Sequence, residues 1–369
     1  MKKFRRIGVL TSGGDAPGMN AAVRAITRKA LEQGVEVMGI IGGYSGLINQ
    51  NIVPLKSSDV SNIITHGGTI LYSDRCEEFK TVEGRKRAID NCKRFNIDAI
   101  IAIGGDGTFR GATKLSQEGI PAIGVTGTID NDITATDYTV GFDTAMNTVL
   151  EAVDRLRDTC ESHARCNVIE VMGRWSGNIA LRTGIASGAS VIAIPEIPFD
   201  EDAAIQKIIA QKEQGKRSFI VVVSEGLVGY AEKLAKTIQE KTEIETKFAK
   251  FAHIQRGGKP TLRDRLLASE LGYPAIQYLF EGKSDIVLCK VDGKLGYRNI
   301  KEALLVDRMF KKKMTEHEYD ALSAMLIASG NNIADTLAVW AFDSMENYHT
   351  YATELATKLG LKDTVVGSD

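Results

Sequence analysis

The sequence predicts an α/β protein with mainly parallel sheets, divided between two domains. Three observations predict it. Short apolar runs alternate with longer helix-patterned stretches through most of the 369 residues, the order expected of parallel sheets covered by helices on both faces. The chain carries eight such runs, more readily housed in two sheets than one, and no low-complexity linker separates them, which predicts closely packed domains with a cleft between. Two of the runs lead into a Gly-Gly-Asp turn and then a helix, about a hundred residues apart.

Taken in order, residues 7–10 (Ile-Gly-Val-Leu) form the first strand and end in Thr11-Ser12-Gly13-Gly14-Asp15, with a helix over 18–33. A second strand covers 35–41. A helix at 84–95 precedes the run 99–103 (Ala-Ile-Ile-Ala-Ile), the turn Gly104-Gly105-Asp106-Gly107-Thr108 and a helix at 107–117. Strands at 122–125, 167–172, 191–195, 219–224 and 286–290 alternate with helices at 143–160, 176–187, 201–213, 230–241, 262–281 and 299–310. Residues 315–360 read as mainly helical, without a further strand or a chemical motif.

Composition narrows the function. Hydrophobic residues make up 43% and charged residues 25%, the profile of an ordinary globular protein. The formal net charge of −1 supplies no global field to recruit nucleic acid, so anion binding must be local. The five cysteines (Cys76, Cys92, Cys160, Cys166, Cys289) show no CxxC pair and suit reduced thiols. No apolar run approaches the roughly 18 residues that span a bilayer. A cytoplasmic protein without membrane contact is predicted.

A strand, a glycine turn and a helix start make a phosphate cradle, because the glycines let backbone amides approach an anion and the helix N-terminus adds positive potential. Asp106 cannot favour a phosphate directly, and is read as a ligand of Mg²⁺ bridging phosphate oxygens. For one such turn, an ordinary βα connection with a helix-capping Asp would serve as well; two turns in one parallel sheet argue for a nucleotide cleft. Residues 125–132 (Val-Thr-Gly-Thr-Ile-Asp-Asn-Asp) place Thr128, Asp130 and Asp132 at alternating positions, on one side of an extended backbone. Two carboxylates and a hydroxyl there are what a base and a metal-side carboxylate need in phosphoryl transfer; an Asp/Asn-rich surface turn is the bland alternative.

The basic residues complete the pattern. Arg165 follows a charged helix, Met172-Gly173-Arg174 stands at a strand end, Glu225 at an equivalent end, and His253 and Arg256 are three apart on one face of a turn. Each alone has a structural account as a salt-bridge partner or satisfied polar group. Together they suit a phosphorylated acceptor, with Glu225 accepting from sugar hydroxyls.

With these motifs assembled, the chain resembles the bacterial-type ATP-dependent 6-phosphofructokinases over roughly residues 4–320. The resemblance rests on Thr-Ser-Gly-Gly-Asp-Ala-Pro-Gly-Met-Asn (11–20), Gly-Gly-Asp-Gly (104–107), Gly-Thr-Ile-Asp-Asn-Asp (127–132), Met-Gly-Arg (172–174) and His-Ile-Gln-Arg-Gly-Gly (253–258). It implies two Rossmann-like three-layer domains: 1–141 with 254–305 for ATP, and 142–253 with 306–326 for fructose 6-phosphate. A helical C-terminal extension over 327–369 exceeds the family's bacterial length. It implies transfer of the ATP γ-phosphate to the 1-hydroxyl of fructose 6-phosphate, with Asp130 as base beside Thr128. Gly13, Arg75, Cys76, Gly105, Asp106, Gly107 and Thr108 would hold ATP, and Asp106 the Mg²⁺. Thr128, Ile129, Asp130, Met172, Gly173, Arg174 and Glu225 would contact the sugar, Arg174 also touching the transferring phosphate. His253 and Arg256 would grip the 6-phosphate, joined by Arg165 and Lys247 from a neighbouring subunit, so the family resemblance implies a homo-oligomer, usually a tetramer.

Pyrophosphate-dependent relatives carry Asp and Lys where Gly107 and Gly127 stand, so the two glycines favour ATP. Three departures bear on regulation and grip. Lys247 replaces the usual Arg, a point charge for a fork, and Thr126 replaces a Pro. Arg24, Arg28, Arg157, Lys216 and Arg217 match the basic residues for an ADP or phosphoenolpyruvate effector, but Asn51, Ser190 and Ser218 replace Arg, Glu and His, which predicts weak or absent activation by ADP. Rival readings are a pyrophosphate-dependent or other phosphorylated-ketose kinase, and a non-catalytic sugar-phosphate sensor. A sensor predicts loss of Asp106 or Asp130, and both are present.

Overall fold

The computed structural model describes residues 4–304. Two sheets organise them. The larger is ordered β11-β10-β5-β4-β1-β2-β3. Its interior strands β1 (Arg6–Thr11), β2 (Glu36–Ile40), β4 (Ala99–Gly104), β5 (Ala122–Thr126) and β10 (Ile286–Val291) are mutually parallel. β3 (Ile52–Leu55) and β11 (Lys294–Asn299) pair antiparallel at its two edges. The smaller sheet is all parallel in the order β7-β8-β6-β9, from β6 (Cys166–Val171), β7 (Val191–Ala193), β8 (Phe219–Ser224) and β9 (Thr246–Lys250).

Strand residues alternate between two cores, which is how a parallel sheet comes to be covered on both faces. Val9, Ile101, Ile103, Ile123 and Val125 pack with α1 (Met19–Glu32) and α9 (Leu262–Phe280). Leu10, Ile100 and Ala102 pack on the other face with α2 (Gly43–Ile48), α3 (Val82–Arg94) and α4 (Asp106–Gln117). In the smaller sheet, Val168, Val221 and Val223 face α7 (Glu201–Glu213) and α8 (Tyr230–Thr242). Ile169, Ile220 and Val222 face the opposite way, toward α5 (Phe142–His163) and α6 (Asn178–Ala186). That last group belongs to the same apolar cluster as α1 and α9, so one continuous core joins the two sheets.

All eight expected strands are present, with ends shifted by two residues at most. The helices expected at 18–33, 84–95, 107–117, 143–160, 176–187, 201–213, 230–241 and 262–281 are present as well, the largest shift being three residues at the C-terminal end of α5. Three strands and one helix were not anticipated. β3, β9 and β11 each form a sheet edge, where one side meets solvent and no continuous apolar run is required. α2 is six residues long and glycine-rich. The helix expected at 299–310 begins at Ile300. The rest of it, the segment 306–326 and the extension 327–369 lie outside the described residues. Among the described residues, no helix is long and apolar enough to cross a membrane.

Candidate active site

The pairing of β1 with β4 sets Thr11 beside Ile103, so the two glycine turns leave the sheet side by side. They are stitched together. Ser12 N donates to Ile103 O at 3.0 Å, and Thr108 Oγ1 donates to Ser12 O at 2.9 Å. A Cβ on Gly104 would stand 2.5 Å from Ser12 O, so only glycine allows this approach. A Cβ on Gly107 meets nothing within 4 Å; this position faces open space at the start of α4. The turns, Arg75 and Cys76 line a cleft of about 1190 Å³ that continues to Met172, Arg174 and Glu225 in the other half of the molecule.

β5 ends at Thr126, where Gly127 N donates to Gly104 O at 2.8 Å. Beyond it the structure departs from the expected extended backbone. Thr128 makes only an isolated bridge to Gly141, and Asn131 takes φ 49°. Thr128, Asp130 and Asp132 still line one cleft, brought there by a bend and not by strand alternation. Asp130 N donates to Thr128 Oγ1 at 3.2 Å. The Asp130 carboxylate is buried, and its Oδ1 has no hydrogen-bond partner. Burial pushes this carboxyl above its ordinary range; the nearby Arg256 pulls it down, Glu225 pushes it up and Arg174 pulls it down. Ile129, expected to touch the sugar, is wholly buried in the core and lines neither this cleft nor the smaller cavity beside it.

Across the cleft, β6 and β8 deliver their end residues together. Gly173 N and Arg174 N both donate to Glu225 Oε1, at 3.2 and 2.8 Å. Arg174 sits at φ 59°, a left-handed backbone fixed by that carboxylate. Met172 N donates to Oε1 of the fully buried Gln255 at 3.2 Å, which ties β6 to the 3-10 turn Ala252–Arg256. His253 and Arg256 of this turn line a smaller cavity of about 460 Å³ together with Gly13, Arg75 and Met172. Arg256 Nη1 donates to Asp15 O at 3.0 Å, and its guanidinium occupies the place a side chain on Gly14 would take.

Arg165 and Lys247 line neither cavity. Both are held by Glu245, at 2.7 and 2.9 Å, and Arg165 foremost draws that carboxyl down to about 2. The five effector candidates also stand away from both cavities. Arg24 and Arg28 are neighbours on α1, Arg24 partly buried with its Nε unpartnered. Lys216 Nζ donates to Ser190 Oγ at 2.9 Å, its ammonium destabilised by burial and then by Arg157, which bonds Ser187 O. Arg217 is exposed.

Asp106 at the start of α4 is bonded by Arg110 at 2.8 Å. Among the described residues, no cluster of three metal-ligating side chains exists. Mg²⁺ keeps several waters and takes one or two carboxylates plus phosphate oxygens, so this sparse donor set fits an ion arriving with a nucleotide better than a resident one. Other cleft residues carried no motif: Tyr44, stacked on Phe79 and donating to Thr108 O at 2.6 Å; Lys80, Arg85 and Lys114; and the ion pair of Lys250 with buried Glu170 at 2.6 Å. The tyrosine and its stack carry no spacing a motif search would catch.

Comparison with known proteins gives one answer. The family described as Phosphofructokinase matches residues 6–279. The ATP-dependent 6-phosphofructokinase of Bacillus pumilus is 55% identical over 280 residues, 76% of this chain and 88% of its own length. That of Halalkalibacterium halodurans is 52% identical over 301 residues, 82% and 94% of the two chains. Among solved structures, phosphofructokinase from Saccharomyces cerevisiae superposes with a TM-score of 0.79 at 29% identity, over 92% of this chain and 50% of that one, so this chain spans half the yeast chain. The pyrophosphate-dependent phosphofructokinase from Marinobacter aquaeolei gives 0.73 at 25% identity, over 81% and 84% of the two chains.

Proposed function

The chain belongs to the phosphofructokinase family, and we propose that it transfers the γ-phosphate of ATP to the 1-hydroxyl of fructose 6-phosphate. The observation that carries this reading is the buried Asp130 carboxylate, with one oxygen unpartnered, facing a cleft between two glycine turns and a basic wall. A carboxylate so placed accepts the proton of a sugar hydroxyl as that oxygen attacks the terminal phosphorus. The amides around Gly13 and at the start of α4 receive the donor's phosphates. Arg174 faces the transferring group, Glu225 and Met172 the sugar, and His253 with Arg256 the 6-phosphate. Asp106 would hold a Mg²⁺ that arrives with the nucleotide, and the ion would neutralise phosphate charge.

The open space at Gly107 supports ATP as donor, since an acidic side chain there would intrude on the nucleotide's phosphates. In this reading the strands of 6–126 and 286–299 bind ATP and those of 166–250 bind the sugar phosphate. The chain assembles with copies of itself, Arg165 and Lys247 completing a neighbour's 6-phosphate site, and works in the cytoplasm. ADP activates weakly or not at all, because Ser190 stands where a carboxylate would hold the effector's metal, and Lys216 bonds that serine instead. A coupled assay of fructose 1,6-bisphosphate formation tests the activity, the donor and the effector: product with ATP, none with pyrophosphate, and no several-fold rise when ADP is added at low fructose 6-phosphate. Turnover with pyrophosphate alone would overturn the donor assignment.

A further inference from the structure

We infer that Asp264, on the first turn of α9, is a positioning residue that holds the segment carrying Asp130 in register. The inference rests on Asp130 being the base. Asp264 is 1% exposed, a buried acid with no part in the chemistry above. Its Oδ1 accepts from Gly141 N at 2.9 Å; its Oδ2 accepts from Thr144 N at 2.8 Å and Thr144 Oγ1 at 2.5 Å. These groups open α5, whose own N-cap, Gly141 at φ 104°, has no side chain to offer. The first amides of a helix lack intrahelical acceptors and carry partial positive charge, so a carboxylate from another helix caps them well. Burial pushes the Asp264 carboxyl up, and the Thr144 hydroxyl with the Gly141 and Thr144 amides draws it back.

The capped residue is bonded directly to the segment of the base. Gly141 bridges Thr128, Thr128 N donates to Val140 O at 3.0 Å, and Thr139 Oγ1 donates to Thr128 O at 2.7 Å. Three residues further along, Asn131 Oδ1 accepts from Thr139 N at 2.8 Å. Asp130 therefore lies between two fixed points, Thr128 and Asn131, both tied to the strip that Asp264 anchors. Thr261 doubles the clamp: it caps α9 by accepting from Asp264 N, donates its amide to Thr144 Oγ1 and its hydroxyl to Asp143. A Cβ on Gly141 would lie 2.6 Å from Ala16 Cβ, so the strip has no room to slide toward the first glycine turn. Asparagine at 264 matches the shape of aspartate but turns an NH₂ toward donors on α5. A catalytic group displaced by about 1 Å loses about a hundredfold in rate.

The test measures kcat, both KM values and melting temperature for the full chain carrying Asp264→Asn, Thr144→Val, Thr144→Ser or Asp130→Asn. Asp264→Asn is expected to lower kcat about 10- to 100-fold with both KM values within about twofold of the parent. Thr144→Val lowers kcat less, by about threefold, and Thr144→Ser, which keeps the hydroxyl, restores it. A folded Asp264→Asn protein with a lower melting temperature but parental kcat makes the residue merely structural and overturns the inference. Should Asp264→Asn not fold, equal kcat in Thr144→Val and Thr144→Ser overturns it. Asp130→Asn separates the two claims: if it keeps turnover the base is misassigned, whereas if it is inactive beside a fully active Asp264→Asn only the positioning role falls.

Discussion

Asp130 carries opposite demands at the scale of one residue. Its carboxylate is buried and unpartnered at Oδ1, so ionising it in the folded protein costs more than in water. The sign of the consequence follows. The unfolded chain loses this proton near the ordinary carboxylate value of about 4, while the folded chain keeps it to higher pH. Folding is therefore favoured by the protonated form, and this favour is lost as pH rises through the raised value. At neutral pH the ionised base destabilises the fold. Asp130→Asn is expected to raise the melting temperature at neutral pH while lowering kcat by about 10²–10⁴-fold, the range of a general base. Calorimetry and steady-state kinetics on one preparation check both halves. In the parent, kcat should fall as pH is lowered through a value above the usual carboxylate range.

At the scale of elements, the two strand–turn–helix units set contrasting tolerances. Gly104→Ala drives a methyl into Ser12 O and Thr108, both part of the seam between the turns. A stability loss of about 1–3 kcal/mol by denaturant titration is expected, as for other overpacked sites, with weaker ATP binding. Gly107→Asp enters open space, so its melting temperature stays parental while its KM for ATP rises about tenfold or more, the equivalent of ~1.4 kcal/mol. The same elements show what a sequence makes legible. Interior strands such as β4 and β8, the latter apolar up to its last residue Ser224, read directly, as do the turns behind them. β3, β9 and β11 did not read, because each is largely exposed, whereas the edge strand β7, which did read, is buried. Within the site, motif-bearing residues were legible singly. The bend at Asn131, the inward packing of Ile129 and the Tyr44 wall were not, since each depends on contacts between segments far apart in sequence.

For the whole molecule, the position of Arg165 and Lys247 decides what the single chain lacks. Both stand outside the cavities, and their charge is absorbed by Glu245. A 6-phosphate site built from one chain would then use His253 and Arg256 alone. If a neighbour's β9 region completes it, two defects in different chains compensate one another. Arg165→Ala breaks what a chain lends, and His253→Ala breaks what it keeps. In a mixed pair related by two-fold symmetry, one site inherits both defects and the other inherits neither. Dissociating and reassembling equal amounts of the two variants should thus restore about a quarter of the sites to parental affinity for fructose 6-phosphate. Each variant alone should show a raised KM at all its sites. A mixture whose kinetics equal the average of the two unmixed variants would mean that each chain builds its own site, and that Arg165 serves only its ion pair with Glu245.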